Sequence, residues 1–364
     1  MNLDKSRWAT VRLDDVVEKK EEGKRNEKPE FDRFLKVGHF DAESLHIKRS
    51  GSQSEEELPP TFYKIFRKGQ ILYPTRNPHL RRAAIAPFDG MCGEKTIRLE
   101  PIIDLVLPSF IPFLFHSEAF YAHTTSVIVG STNPHVRWRD VAKFEFLLPP
   151  KAQQAELAEL LWASYSLLHK LDELLLSTNL HKKSVLKDSF LKGNCIRVRV
   201  AEISDNLDSR RVPIKQSDRI KGAYPYYGAS GVVDYVDNFI FDEAILLISE
   251  DGENLQSRKL PIAYEIDEKC WVNNHAHVLR VSGLYRYLVA EYFNSHDISD
   301  YITGGTRPKL TKGMLSDMPI YLPREEHVDK VKNRLLSIDQ SLAAISKQIA
   351  HTKLLMKSLI NQIF

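Results

Sequence analysis

The chain has 364 residues, of which 43% are hydrophobic and 27% charged, and its formal net charge is +3. This length is enough for two or more domains with their own cores, and the composition is ordinary for a soluble globular protein. No apolar run is long enough to cross a membrane, and the polar first residues do not resemble a signal segment, so we expect a cytoplasmic protein. Three isolated cysteines with no Cys-x-x-Cys pair fit a reducing compartment.

Short strands are predicted in the front part of each half of the chain, which therefore has a mixed α/β character. Residues that favour turns, such as Pro74 and Asp251-Gly252, bound most of them. In chain order the strands are GQILYP (69–74), AAIAPF (83–88), TIRLE (96–100), AILLIS (244–249), IAYEI (262–266) and HVLRV (277–281).

The back parts of the two halves of the chain are internal repeats of each other. VGSTNPHVRWRDVAKFEFLLPP (129–150) aligns without a gap on TGGTRPKLTKGMLSDMPIYLPR (303–324), so that Gly130 meets Gly304 at an offset of 174. The same offset superposes the aromatic, helix-like stretch 110–120 on 284–294. The two halves also begin alike, with WATVRLDDVV (8–17) matching CIRVRVAEIS (195–204). Their front parts otherwise diverge.

Each half ends in a long amphipathic pattern. Apolar residues follow a spacing of three and four that predicts a coiled-coil seam, and each helix of about 40 residues would be about 60 Å long. We expect the two helices to pack against each other as a spacer, although a hairpin that only dimerises the protein is an alternative. The seam residues are Leu157, Leu161, Leu168, Leu171, Leu175, Val328, Val331, Leu335, Ile338, Leu342, Ile345 and Ile349.

Catalytic motifs are missing from the sequence. An adenine methyltransferase needs an Asn/Asp-Pro-Pro-aromatic loop, and here Asn77-Pro78 is followed by His79. No glycine-rich loop for a cofactor or a phosphate is present. The pair His275 and His277 has no third ligand nearby and is interpreted as strand residues instead of a metal site. These features favour a binding protein that is not an enzyme.

Basic residues and tyrosines cluster at the ends of the predicted strands, where they suggest a surface that holds phosphates and reads bases. Arginine and lysine fit guanine edges, and asparagine fits adenine. Each cluster alone is better explained as a solvated face, and it is their placement together with the tyrosines at the strand ends that favours the DNA surface. In AYPYYGASGVVDY (223–235) the glycines predict a turn, and Tyr227 and Lys221 are the favoured contacts. The full set of candidate DNA contacts is Arg49, Tyr73, Thr75, Arg76, Asn77, Arg81, Arg82, Arg219, Lys221, Tyr226, Tyr227, Gly228, Ser230, Asn254, Arg258, Asn274, His275, Arg307 and Lys309.

Several stretches resemble type I restriction-modification specificity subunits, and the resemblance covers nearly the whole chain. They are LKVGHFDAESLHIKRSG (35–51), 68–94, 224–255, WVNNHAHVLRV (271–281) and TGGTRPKLTKGMLSDMPIYLP (303–323). The start of the helix in that family commonly reads Leu-Pro-Pro-x-x-Glu-Gln, whereas this chain has LPPKAQQ and LPREEHV.

The resemblance implies an α+β protein in which two α/β target-recognition domains, related by a pseudo-two-fold axis, are separated by two long antiparallel coiled-coil helices. The expected boundaries are 1–150 for the first recognition domain, 151–190 for the first helix, 191–324 for the second domain and 325–364 for the second helix.

The resemblance also implies a non-catalytic subunit that binds double-stranded DNA. Two modification subunits would carry S-adenosylmethionine and methylate adenine, and restriction subunits would use ATP and Mg²⁺ to translocate and cleave DNA. This chain would bind no cofactor and no metal itself. Two unlike domains imply a bipartite, non-palindromic site, and the helices would hold the domains on the order of 35 Å apart.

Two alternatives remain open at this point. The chain could serve as the recognition module of another restriction enzyme assembly. It could also be a coiled-coil scaffold whose lobes bind carbohydrate or protein, with the tyrosines stacking on sugars. Salt-sensitive binding to duplex DNA separates the scaffold from the other two.

Overall fold

A computed structural model describes residues 3–24, 31–190 and 195–364. The first half contains β1 (Ala9–Arg12), α1 (Leu13–Val16), β2 (Val17–Lys19), β3 (Arg33–Leu35), β4 (Gly51–Ser52), β5 (Lys64–Phe66), β6 (Ile71–Pro74), β7 (Ala84–Ile85), β8 (Gly90–Cys92), β9 (Thr96–Pro101), α2 (Glu118–Ser126), α3 (Trp138–Val141), β10 (Glu145–Leu148) and α4 (Lys151–Ser189). The second half contains β11 (Cys195–Arg199), α5 (Val200–Ile203), β12 (Ser204–Asn206), β13 (Lys221–Gly228), β14 (Gly231–Val236), β15 (Ile245–Ser249), α6 (Asn254–Ser257), β16 (Ala263–Ile266), β17 (Trp271–Val272), β18 (Ala276–Val281), α7 (Arg286–Ser295), α8 (Lys312–Asp317), β19 (Pro319–Pro323) and α9 (Glu325–Ile363).

The chain divides into two compact units. The first unit comprises Met1–Asp172 and Lys347–Phe364, and the second comprises Glu173–Ser346. We call β1–β10 with α1–α3 the first domain, and β11–β19 with α5–α8 the second domain. Each unit thus combines one domain with half of each long helix. The predicted boundary after residue 190 borders residues that lie outside the described ranges.

The two long helices run antiparallel, as predicted. In the first unit Leu161 near the start of α4 shares a core with Ile360 near the end of α9. In the second unit Val185 near the end of α4 shares a core with Leu335 near the start of α9. Each helix has 39 residues. All the predicted seam residues are buried or half-buried, as a coiled-coil pattern requires.

The two domains share most of their sheet topology, although the second sheet has four strands in the first domain and three in the second. A four-stranded antiparallel sheet has the order β2-β9-β6-β7 in the first domain and β12-β18-β15-β16 in the second. A second sheet contains the parallel pair β3 and β8 in the first domain, and the parallel pair β13 and β17 in the second. A separate ladder joins β1 to β10, and its counterpart joins β11 to β19. The strands predicted from the sequence are all present.

The central strands are buried on both faces, which explains why they are almost entirely apolar. Successive side chains of a strand point to opposite faces of the sheet. In β15, Leu246 lies in the core that includes α7, whereas Leu247 lies in a separate core beneath β13. In β6, Ile71 and Leu72 divide in the same way between two cores.

The similar sequences at the start of the two halves form equivalent N-terminal caps, on α1 in the first half and on α5 in the second. The carboxylate of Asp15 accepts a hydrogen bond from the backbone N–H of Arg12 at 2.8 Å. The carboxylate of Glu202 accepts the same bond from Arg199 at 2.8 Å. These side chains satisfy free N–H groups at the starts of α1 and α5. Residues 8–17 and 195–204, which match at an offset of 187 residues, therefore have equivalent structures.

The structure differs from the sequence-based expectation at residues 110–120, which do not form one helix. Ile111–His116 form a 3-10 turn, and α2 begins at Glu118 with the Ser117 hydroxyl accepting the N–H of Phe120. The cap of Ser117 therefore begins a new helix where the second copy has the continuous helix α7. Along the described chain, no helix is long and apolar enough to cross a membrane.

The departure from the family pattern at the start of the helices also has a structural reason. In α4 the buried amide of Gln154 accepts the N–H of Leu107 at 2.8 Å and donates to the carbonyl of Leu105 at 3.2 Å. The equivalent residue of α9, Val328, is fully buried in the apolar core of the second unit. The loop at residues 105–107 thus accounts for the glutamine in the first unit, and the apolar core accounts for the valine in the second.

Candidate nucleic-acid interface

The second domain has a cleft of about 480 Å³ where several of its loops meet. The turn between β13 and β14 forms one side, and Gly231 with φ of +105° permits that turn. The residues after β15 and before β18 form another side, and the loop before Leu310 closes the third. Five of the sequence candidates line this cleft, namely Gly228, Ser230, Asn254, His275 and Arg307.

Two charged side chains and a histidine meet at the cleft surface, and we call them the outer set: Asp251, Arg307 and His275. The Nδ1 atom of His275 lies 3.0 Å from Oδ2 of Asp251, and Nη2 of Arg307 donates to the same oxygen at 3.1 Å. The Asp251 side chain is only 12% exposed, whereas that of Arg307 is 66% exposed. A half-buried carboxylate thus holds an exposed guanidinium.

A second group, the inner set, adjoins the outer set and consists of Asp208, Arg211, Glu250, His277 and Lys309, of which all but Lys309 are buried or half-buried. The Nδ1 atom of His277 lies 2.6 Å from Asp208, and Nη1 of Arg211 lies 2.6 Å from Glu250. Lys309 Nζ lies 3.1 Å from Glu250. Burial acts to raise the pKa of Asp208, but its contact with His277 and the hydrogen bond from the N–H of Val278 outweigh burial and lower that pKa to about 2.

The two sets are neighbours along the chain. Residues 275 and 277 lie two apart, as do residues 307 and 309, so the two members of each pair follow one another along the same side of their segment, one in each set. The backbone fixes this arrangement, because Leu310 N–H donates to the Glu250 carbonyl at 2.8 Å and Glu250 N–H donates to the His275 carbonyl at 2.9 Å. These two backbone hydrogen bonds join the segments that carry both sets, so the inner and outer sets are held in fixed positions relative to each other.

The inner set contains the one group in the described ranges whose spacing resembles a metal site. Ligand atoms of Asp208, Glu250 and His277 lie within 4.8 Å of one another. Arg211 already contacts both carboxylates, with Nη2 3.5 Å from Asp208. The Nε2 atom of His277 is also engaged, with the Leu310 carbonyl at 2.8 Å. These residues fit an ion-pair network better than a bound cation.

The first domain has a smaller cleft of about 130 Å³ in the equivalent place, and Arg76 and Lys95 line it. Backbone pairing establishes the equivalence: Arg76 and Val129 both pair with His135, just as Asp251 and Thr303 both pair with Lys309. Arg76 therefore occupies the place that Asp251 has in the second domain. The two clefts have the same backbone framework and different side-chain chemistry.

Several candidates are buried in the cores, which leaves them no surface to offer to DNA. Tyr73 is 4% exposed and packs against Phe115 and Phe120. The hydroxyl of Thr75 donates to the Lys95 carbonyl. Tyr226 and Tyr227 are 1% and 7% exposed. We therefore set these four residues aside, including Tyr227, which the sequence had favoured.

Other candidates have structural partners. Arg258 donates to the carbonyls of Phe293 and His296, and therefore ties α6 to the end of α7. Arg81 forms a two-pronged salt bridge with Glu118. The amide of Asn254 bonds to the backbone of its own loop at Leu260 and Pro261.

The remaining candidates are accessible or half-exposed. Arg49 pairs with Asp41, and Arg219 pairs with Asp234 while its guanidinium lies over the ring of Tyr226. Lys221, Asn274 and Arg76 are exposed, and Asn77 and Arg82 are half-exposed.

Sequence reasoning missed Asp251 and Arg211 as parts of this site. Asp251 was interpreted as a turn residue because Asp-Gly commonly ends strands. The spacing of two between the histidines at 275 and 277, and between the basic residues at 307 and 309, was a usable signal. Their meeting depends on contacts between residues far apart in the chain, which sequence spacing does not show.

The sequence pattern of the type I restriction modification DNA specificity domain matches residues 5–175 and again residues 197–363. The chain belongs to the type I restriction-modification specificity (S) subunit family. This S subunit is 30% identical over 149 residues to a Haemophilus influenzae protein described as a type I restriction enzyme specificity subunit. The alignment covers 40% of the chain and 37% of that relative, so it spans little more than a third of the relative's length.

Solved structures resemble the S subunit over its whole length. The crystal structure of an S subunit from M. genitalium matches with a TM-score of 0.64 at 15% identity, and covers 100% of this chain and 98% of the other. A chain from a structural study of assembly and conformational transition in a type I system matches with a TM-score of 0.63 at 19% identity, covering 98% and 97%. At these identities the likeness shows the fold, and it confirms the architecture predicted for the S subunit.

Proposed function

We propose that this S subunit is the non-catalytic, sequence-reading component of a type I restriction-modification complex, and that it binds a bipartite, non-palindromic site in double-stranded DNA. One observation carries this proposal: the antiparallel sheets of the two domains have the same order, but unlike side chains stand at the same place, Arg76 in one cleft and Asp251 in the other. Base edges are distinguished by their donors and acceptors, so unlike clefts read unlike half-sites.

The proposed partners are two modification subunits, which bind S-adenosylmethionine and flip the target adenine out of the duplex, and restriction subunits, which use ATP and Mg²⁺. The complex would work in the cytoplasm. Exposed leucines on α4 support a helical partner, because large apolar side chains in water favour a protein contact. Their side chains are 38–63% exposed at Leu160, Leu167, Leu174, Leu176 and Leu180.

Sequencing of methylated bases tests the proposal directly. The chain is co-expressed with its modification subunit in a host that lacks adenine methylation, and the modification subunit expressed alone is the control. We expect methylated adenines in a two-part motif with a gap of fixed length, and none in the control. A methylating complex that yields no two-part motif would overturn the proposal.

A further inference from the structure

We propose that Arg307 reads a G·C pair in the half-site bound by the second domain, and that Asp251, which also accepts a hydrogen bond from His275, holds its guanidinium for that contact. This inference rests on the proposed function. It concerns the outer set of the cleft in the second domain, and it assigns one residue to one kind of base pair.

Arg307 retains free donors in the position where the structure holds it. Within the described residues, the hydrogen bonds of its guanidinium all use Nη2, which contacts Asp251 at 3.1 Å and His275 Nδ1 at 3.4 Å. Because Nδ1 of His275 donates to Asp251, only one N–H of Nη2 is used, and its second N–H remains, together with Nη1 or Nε, as a parallel pair for a ligand in the cleft. Guanine offers O6 and N7 side by side in the major groove, and arginine meets both with two parallel N–H groups.

The loop that carries Arg307 is fixed at both ends. Thr303 and Lys309 exchange backbone hydrogen bonds of 2.8 and 2.7 Å, and the N–H of Gly252 donates to the Pro308 carbonyl at 3.0 Å. Gly304, with φ of +84°, allows the tight turn between them. A side chain on a fixed loop loses little freedom when it binds, which is a property of specificity contacts.

The charges around Arg307 favour a base edge over a phosphate. Asp251 lies directly against the guanidinium, whereas Glu253, which also lines the cleft, is paired with Lys259. A phosphate that approached the guanidinium would be repelled by the Asp251 carboxylate, whereas the guanine edge is uncharged and requires only donors. An arginine held by a half-buried carboxylate is therefore suited to reading a base.

The first domain does not share this arrangement. At the repeat offset of 174 residues, Asn133 stands where the second domain has Arg307. Arg76 stands where the second domain has Asp251. The inference therefore applies to one half-site only, which provides an internal control in every measurement.

The test uses the complex of this chain with its modification subunit and a library of duplex DNA with randomised positions. Bound duplexes are sequenced for the wild type, for Arg307→Lys, for Asp251→Asn and for the matched variant Arg76→Lys of the first domain. We expect Arg307→Lys to lower the preference for guanine at one position of one half-site by roughly tenfold or more. Lysine keeps the positive charge but lacks the two-pronged geometry. Asp251→Asn should lower the preference for guanine at the same position, but by a smaller factor.

Three results would overturn the inference: an unchanged motif for Arg307→Lys, an equal loss of affinity for all sequences, or a change in both half-sites. If Asp251→Asn leaves that position unchanged, Asp251 does not position Arg307. Arg76→Lys should leave the half-site of the second domain as it is in the wild type. A wild-type complex that selects no two-part motif contradicts the proposed function itself, and this outcome is visible before any variant is compared.

Discussion

The ammonium group of Lys182 lies 2.7 Å from the carboxylate of Asp339, so an ion pair joins the two long helices in the second unit. Glu291 of α7 lies 3.0 Å from the same ammonium group, and the Tyr287 hydroxyl donates to Asp339 at 2.7 Å. Burial raises the pKa of Glu291 and outweighs the opposing effect of Lys182. One lysine therefore attaches α4 to α9 and to the second domain.

Replacement of Lys182 by methionine should destabilise the protein. The repeat places Met356 at the equivalent position of the first unit, so methionine is compatible with the helix itself. The variant leaves two half-buried carboxylates without their cation, which costs about 2–4 kcal/mol. Thermal unfolding of the full chain at pH 7 measures this cost.

The neighbouring exposed residue Lys183 provides the control. Lys183→Met removes the same charge from the surface and should change the free energy of unfolding by no more than about 0.5 kcal/mol. At pH 5 the cost of Lys182→Met should be smaller, because the carboxylates left without a cation are then partly protonated. Equal stability of the two variants at pH 7 would contradict the structural role of Lys182.

His116 should make the stability of the first unit depend on pH. Its Nε2 atom lies 3.1 Å from the Ala83 carbonyl, and Nδ1 is buried without a hydrogen-bond partner among the described residues. Burial lowers the pKa of His116 to about 4. The unfolded chain therefore binds a proton more readily, and stability falls as the pH drops from about 6.5 to about 4.

The matched variant is His116→Gln, which keeps a donor for Ala83 and does not titrate. Between pH 7 and pH 5 the wild type should lose about 2 kcal/mol more stability than the variant. Chemical denaturation at both pH values gives the difference. If wild type and variant lose the same stability, His116 does not titrate in this window.

The sequence was most informative where the pattern is local or repeated. The seam from Val328 to Ile349 and the strand 244–249 could be predicted because apolar spacing alone determines which face is buried. Tyr73 and Tyr227 were assigned to the surface because tyrosine can lie at a core or at an interface, and only the packing of distant segments decides between them. Asp251 was missed for the same reason: its partners lie 24 and 56 residues away.

The exposed leucines of α4 should be required for assembly with the modification subunits. Leu160, Leu167 and Leu174 recur every seven residues and therefore lie along one side of the helix. Leu167→Glu with Leu174→Glu should abolish co-purification with the modification subunit and leave thermal unfolding of the isolated chain nearly unchanged. Ser166→Glu places a charge at a neighbouring exposed position and should keep the complex intact. Retention of the complex by the leucine variant would contradict this docking face.

The length of the two helices should determine the gap in the DNA site. Removal of residues 169–175 and 343–349 deletes one heptad near the middle of each helix and keeps the seam in register. Each helix becomes about 10 Å shorter, which corresponds to about three base pairs. Insertion of one heptad at the same points should lengthen the gap equally. Methylation sequencing that finds the original gap in both variants would exclude a spacer role.

Arg81 and Arg76 should behave differently although they lie five residues apart in one basic loop. Arg81 is 18% exposed on its side chain, and its guanidinium lies 3.9 Å from the ring of Tyr121. Its bonds to Glu118 lower the pKa of that carboxyl to about 2, and Glu118 in turn contacts Lys357 of α9 at 2.7 Å. Arg81→Met should therefore lower the stability by about 1 kcal/mol and leave DNA affinity nearly unchanged.

Arg76 is exposed, and no side-chain hydrogen bond or ion pair joins it to the rest of the described structure. Arg76→Gln should leave thermal unfolding unchanged and weaken DNA binding by about 1–3 kcal/mol. Titrations at several salt concentrations, combined with thermal unfolding of both variants, separate the two roles. The assignment is reversed if Arg81→Met weakens DNA binding at full stability while Arg76→Gln does not. The decisive difference is that Glu118 already neutralises Arg81, whereas the charge of Arg76 remains available to DNA.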